Sequence, residues 1–212
     1  MPLVNDYKIQ SCSQQKTENI SQRKKTMETT YNNLSPYAQQ FFANLRTYLD
    51  RPLYFFGSVQ RPDYFMGSSD IDVDIFCEVP TSTILQLQNF LHVDASEFKK
   101  MVWKISTSGR LVSGHKLMYK DPEHGLIVEF SIYNEKYMDD VLADHRHKMV
   151  LPFYVTIFLI ILKFFYYGLG ILPKEYYNNV KRFILNTLVN QGDEDFIVVD
   201  MKQPKPSTIP KK

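Results

Sequence analysis

The sequence predicts an α/β domain: a mixed sheet with helices packed on one face, followed by a C-terminal helical pair. Three observations predict it. Two short strand-like runs, residues 53–56 and 69–76, are separated by a Gly-Ser turn and a polar loop. Two alternating segments, 114–120 and 126–133, flank Asp121-Pro122-Glu123-His124-Gly125, which is the pattern of a β-hairpin. Apolar residues at three- and four-residue spacing mark helices before, between and after these strands.

Taken in chain order, residues 1–30 are polar, lack apolar periodicity and carry Arg23-Lys24-Lys25, so they are expected to form a disordered tail. Ser35 is a good helix N-cap and Pro36 a good first helical residue; Tyr37, Phe41, Phe42, Leu45 and Leu49 then recur on one helical face. The aromatic run 53–56, bounded by Pro52 and Gly57, reads as a buried strand. Gly57 permits close approach of the backbone to a ligand, and Ser58 adds a hydroxyl where free N–H groups can face an anion.

From Ser69 to Phe76 polar and apolar residues alternate, so Asp70, Asp72 and Asp74 are expected on one strand face, with Ile71, Val73 and Ile75 on the other. Like charges this close repel, and the repulsion favours protonating one of them. A divalent cation removes the conflict, and hard oxygen ligands at this spacing suit Mg²⁺ or Mn²⁺.

Further along, Pro80-Thr81-Ser82 opens a helix striped by Ile84, Leu85, Leu87 and Leu91, and residues 99–106 read as a strand around Val102 and Trp103. On the second hairpin strand Leu126, Val128, Phe130 and Ile132 share one face, leaving Glu129 with Ile127 and Ser131 on the other. Residues 137–148 read as a helix whose His145 and His147 diverge, unlike the one-turn spacing that binds zinc, so a solvated helix end is expected there. The apolar stretch 149–162, broken by Pro152, is short for a membrane span and reads as a buried helix. After a turn at 168–173, Tyr177, Val180, Phe183, Ile184 and Leu188 mark an amphipathic helix, and the chain beyond is expected to end in a short strand and a tail.

Phe56-Gly57-Ser58 followed by Ser69-Asp70-Ile71-Asp72-Val73 resembles the signature of the DNA polymerase beta-like nucleotidyltransferases, which include poly(A) polymerases and CCA-adding enzymes. The resemblance implies a polymerase-beta-like fold over residues 31–140, with 141–190 as a C-terminal helical region and 191–212 as a tail. It implies that Asp70 and Asp72 hold Mg²⁺ or Mn²⁺, and that Glu129, where the family usually has Asp, is the third carboxylate. Gly57, Ser58 and Ser69 would then contact the nucleotide. Lys163, in Leu162-Lys163-Phe164-Phe165, faintly resembles the lysine that reaches the triphosphate in poly(A)-polymerase-like members. Asp74 is expected to cap the edge of the site or to pair with a base.

The activity so implied is transfer of a nucleoside monophosphate from an NTP to an acceptor hydroxyl, with release of pyrophosphate. The alternative is a catalytically inactive member that serves as a binding or regulatory subunit. At 212 residues, 44% hydrophobic and 23% charged, the chain is long enough for one sizeable core. Its net charge of +2 and pI near 8.3 permit a nucleic-acid acceptor without indicating one, so a nucleic-acid end, a protein and a small molecule all stay open. No membrane partner is expected. Cys12 and Cys77 lie in no zinc-ligand pattern and the N-terminus has no signal-peptide core, which predicts a reducing, intracellular and by default cytoplasmic setting.

Overall fold

The structure, a computed structural model, describes residues 27–189 and the backbone of 197–199. Helix α1 (Pro36–Leu49) begins as the sequence predicts: the Ser35 hydroxyl accepts from the Ala38 N–H at 3.2 Å and Pro36 occupies the first turn. It leads into β1 (Tyr54–Phe56) and a 3₁₀ turn, Gly57–Gln60. There follow β2 (Ile71–Cys77), α2 (Pro80–Leu91), β3 (Lys99–Lys104), β4 (Leu111–Asp121) and β5 (Leu126–Asn134). Helices α3 (Met138–Met149), α4 (Phe153–Lys163) and α5 (Lys174–Val189) close the chain, with a short strand, β6 (Ile197–Val199), after them.

The strands make one mixed sheet in the order β1-β2-β5-β4-β3-β6. Only β2 and β5 run parallel; the other neighbours are antiparallel, and β4–β5 is the hairpin read from the sequence. Alternation along the strands divides the side chains into two faces. Leu53, Phe55, Val73, Ile75, Val128, Phe130 and Ile132 lie on one, packed against Phe41, Phe42 and Leu45 of α1 and Leu87 of α2. Tyr54, Phe76, Tyr133, Met101 and Trp103 lie on the other, packed against Val141 and Leu142 of α3.

Helices therefore cover both faces rather than one. The reason is that half of the second face is itself apolar, and Trp103, 1% exposed, needs a lid that α1 and α2 cannot supply from the opposite side. Helix α3 covers that half and leaves the Asp72–Glu129 half to the loop before β2 and to the α4–α5 pair. That pair has its own cluster, in which Val155, Leu159 and Leu162 meet Tyr177 and Ile184.

Two boundaries and the burial of one residue differ from what the sequence predicts. Met27 is buried in the cluster with Trp103, and the Arg46 guanidinium donates to the Glu28 carbonyl, so residues 27–30 belong to the domain; residues 1–26 lie outside the described residues. Asp70 precedes β2 instead of lying within it, because the Ser69 N–H donates to the Phe65 carbonyl at 2.8 Å and closes a turn there. His145 is buried rather than solvated, since its ring stacks on Phe56 at 4.0 Å and meets Asp74. β6 agrees with the short terminal strand expected from sequence; of the stretch 191–212 assigned as a tail, residues 191–196 and 200–212 lie outside the described residues.

Candidate active site

Gly57 is where the turn and the acidic strand meet. Its φ of +68° is a left-handed value that favours glycine, and a Cβ there would collide with Asp72 Oδ2 and stand 2.9 Å from Asp72 Cγ. The backbone of the Gly-Ser turn is thus pressed against the Asp72 carboxylate. Phe56 and Asp72 are cross-strand partners, which sets this contact by register. The turn is also held from outside: the Asn32 amide donates to the carbonyls of Val59 and Arg61 at 2.9 and 2.7 Å, and the Gln60 amide donates to Thr29 at 2.6 Å. Ser58 is buried, and its hydroxyl has no hydrogen-bond partner among the described residues. Such an orphan costs roughly 1–3 kcal/mol unless a ligand or water satisfies it.

Parallel pairing of β2 with β5 sets Asp72 directly beside Glu129. Strands lie about 4.8 Å apart, so two carboxylates on the same face at paired positions interact strongly. Burial, and then the negative charges of Asp70 and Glu129, hold the Asp72 carboxyl well above the usual carboxylate range; Lys181 and Lys116 offset this only in part. The Glu129 carboxylate takes an ion pair with Lys116 Nζ at 2.6 Å. Asp70 faces the α4–α5 side. Burial raises the phenols of Tyr64, Tyr167 and Tyr177, and the charge of Asp70 adds to each.

Asp74 is fully buried and meets His145 Nε2 at 2.9 Å, so of the two roles expected for it the structure shows pairing with a base. Lys163 does not point into the cleft as an open cation. Its side chain is 3% exposed, and the ammonium donates to the Asp63 carbonyl at 2.7 Å and pairs with Asp63 Oδ2 at 2.9 Å, while Arg61 Nε pairs with Asp63 Oδ1 at 2.8 Å. Burial raises the Asp63 carboxyl, but Arg61 and Lys163 outweigh it and the net shift is downward. Lys163 thus ties α4 to the loop between the Gly-Ser turn and the acidic strand. Ser69 serves the same loop, accepting from the Phe65 N–H at 3.2 Å.

Among the described residues no three His, Cys, Asp or Glu side chains form a ready metal-ligand cluster. Glu129 is drawn to Lys116 instead. The donor set nevertheless fits a hard divalent cation, because Asp70, Asp72 and Glu129 all offer oxygen ligands, and part of what raises the Asp72 carboxyl, after burial, is the negative charge of Asp70 and Glu129 that a cation would neutralise. Sequence reasoning missed Lys116, Lys181, Asn32 and Asp63. Each acts across an element boundary that only strand pairing or helix docking closes, although Lys116 does lie on the same face of β4 as Met118, the cross-strand partner of Glu129.

No family model matches this chain, and no curated protein matches it.

Proposed function

We propose that the protein is a metal-dependent nucleotidyltransferase, moving a nucleoside monophosphate from an NTP to an acceptor hydroxyl. The observation that carries this reading is the meeting of the Gly57 backbone with the Asp72 carboxylate, beside the orphaned Ser58 hydroxyl and with Glu129 register-paired to Asp72. A turn that presents N–H groups and a hydroxyl suits phosphate oxygens, and paired carboxylates beside it suit the cations that accompany a triphosphate. Asp70, Asp72 and Glu129 would hold Mg²⁺ or Mn²⁺, which supplies charge neutralisation at the reacting phosphate and a lowered pKa for the bound acceptor hydroxyl.

The remaining roles belong to the chain itself. Gly57 and Ser58 would grip the phosphates. Lys181, already close enough to Asp72 to oppose its neighbours' charge, would balance the negative charge that grows on the departing pyrophosphate. Lys116 would be displaced from Glu129 as the site fills, leaving its ammonium on the acceptor side. In the reaction the acceptor oxygen bonds to the α-phosphorus, the bond from that phosphorus to the bridging oxygen breaks, pyrophosphate leaves with that oxygen, and the acceptor proton passes to solvent.

The Lys116–Glu129 pair is also the one feature that favours the alternative, an inactive binding or regulatory subunit, because an internal cation there replaces a metal. Incubation of the purified chain with each labelled NTP and Mg²⁺, with total cell RNA or protein as acceptor, distinguishes them. Label transfer is expected, and Asp70→Ala or Asp72→Ala is expected to abolish it without unfolding the protein. Absence of transfer in every combination would favour the binding subunit, and wild-type activity in either variant would overturn the site.

A further inference from the structure

Helix α4 presents a face that no element among the described residues covers. Val155, Leu159 and Leu162 point into the cluster with α5, but Phe153, Ile157, Phe158, Ile161 and Phe164, at three- and four-residue spacing, form a second stripe turned outward. Phe153 is 77% exposed, and Ile171, beyond the end of the helix, is 62% exposed. A contiguous apolar surface of this kind marks an interaction site.

The charges around it say what kind. From residue 145 to residue 174 the chain contains no Asp or Glu. Lys163, within that span, is buried against Asp63, so the stripe itself is uncharged. Its rim carries more base than acid: Arg146 and His147 end α3 and Lys174 begins α5 with Glu175 beside it, while Lys148 is paired with Asp144 at 2.7 Å. The axes on either side of the 150–152 break diverge by 83°, which sets the basic end of α3 at the corner where the apolar stripe starts.

Three occupants are conceivable. The segments outside the described residues, 1–26, 190–196 and 200–212, contain no run of more than two large apolar residues, and none has the periodicity to cover the stripe. A second copy placed face to face would bring the same basic rim against itself. A lipid surface with anionic headgroups accepts both the stripe and the rim. Among the described residues no single helix is long and apolar enough to cross a membrane: α4 runs on in helical turns to Gly168, and Phe153–Gly168 extends at most about 24 Å, short of a bilayer's hydrocarbon thickness of about 30 Å.

We propose that α4 seats the protein on an anionic phospholipid surface, lying in the plane of the interface with Phe153–Phe164 among the acyl chains and Arg146, His147 and Lys174 against the headgroups. This departs from the sequence-based expectation that no membrane is involved: it is attachment rather than a span, and it does not depend on the catalytic reading. Aromatic and aliphatic side chains opposite a basic rim are the composition of interfacial helices, and each basic residue adds affinity that salt screens.

The test is co-sedimentation of the full chain with vesicles of equal parts phosphatidylcholine and phosphatidylserine, beside vesicles of phosphatidylcholine alone. Binding to the mixed vesicles is expected to exceed binding to phosphatidylcholine by about tenfold or more and to weaken with salt. Ile157→Asp with Phe158→Asp is expected to reduce it by about tenfold or more with an unchanged melting temperature, since both side chains are about half exposed. In a Phe158→Trp variant, brominated lipid should quench the new indole while Trp103, buried under α3, stays unquenched. Failure to bind the anionic vesicles at low salt, or binding indifferent to the double substitution, would overturn the proposal. A stable dimer in lipid-free sedimentation that the double substitution dissociates would assign the face to a second copy.

Discussion

Gly57→Ala tests the closest contact in the candidate site. Alanine at a φ of +68° costs about 1–2 kcal/mol from backbone strain alone. The new methyl also meets Asp72 Oδ2 and Cγ, which must move, and displacements of this kind in packed sites cost about 1–3 kcal/mol. The total, about 2–5 kcal/mol, corresponds to a fall in melting temperature of roughly 4–20 °C in a chain of this size. The two contributions separate in a double-mutant cycle. In an Asp72→Ala background the carboxylate is gone and the nearest atom of residue 72 is its Cβ, at 3.4 Å from the new methyl, an ordinary contact. Gly57→Ala should then cost only the backbone share, leaving a coupling of about 1–3 kcal/mol. Asp72→Ala by itself should be neutral or slightly stabilising without metal, because it removes a carboxyl that burial and two neighbouring charges disfavour. Urea unfolding of the four proteins measures the cycle, with label transfer by the single Gly57→Ala variant as a second readout. An equal loss of stability in both backgrounds would show that the turn does not rest on the Asp72 carboxylate.

Three further outcomes are expected. Glu129→Gln should lower single-turnover transfer by orders of magnitude while NTP affinity is nearly kept, whereas Asp74→Asn should cost about 1–3 kcal/mol of stability through His145 and slow transfer far less; the reverse ranking would mean that the third carboxylate has been misassigned. Lys181→Met should raise the KM for NTP by about tenfold or more with little change in melting temperature, and an unchanged KM would remove Lys181 from the nucleotide site. Asp63→Asn should cost about 3–5 kcal/mol at neutral pH, because it leaves the buried Lys163 ammonium without its counter-charge. The Asp63 carboxyl is shifted downward in the folded protein, so its stabilisation is complete above the ordinary value of about 3.9 and is lost as pH falls through the lower folded value. The gap between wild type and Asp63→Asn in urea unfolding should therefore close on acidification, and a gap that widened would contradict the pairing.

What the sequence by itself determined is local. Ser35-Pro36 started a helix because capping is a matter of adjacent residues, the alternation from Ile71 to Cys77 made a strand because side chains alternate on any extended backbone, and Asp121-Pro122-Glu123-His124-Gly125 turned the β4–β5 hairpin because Pro and Gly limit the backbone there. The nearness of Gly-Ser to Asp-x-Asp was legible for the same reason, since a short loop joins them. Tertiary structure alone decided which strand lies beside β2 and in which register, and hence that Glu129 faces Asp72. It alone gave Asp74 a histidine, gave Lys163 a carboxylate one hundred residues away, set α3 on the face that the helix pattern left unassigned, and buried Met27 with Trp103. Periodicity tells which side of an element is apolar but not which surface meets it. That choice is made by the whole core closing at once, so the lysines that balance the carboxylates, and the outward stripe of α4 that no described element covers, become visible only when every element is in its place.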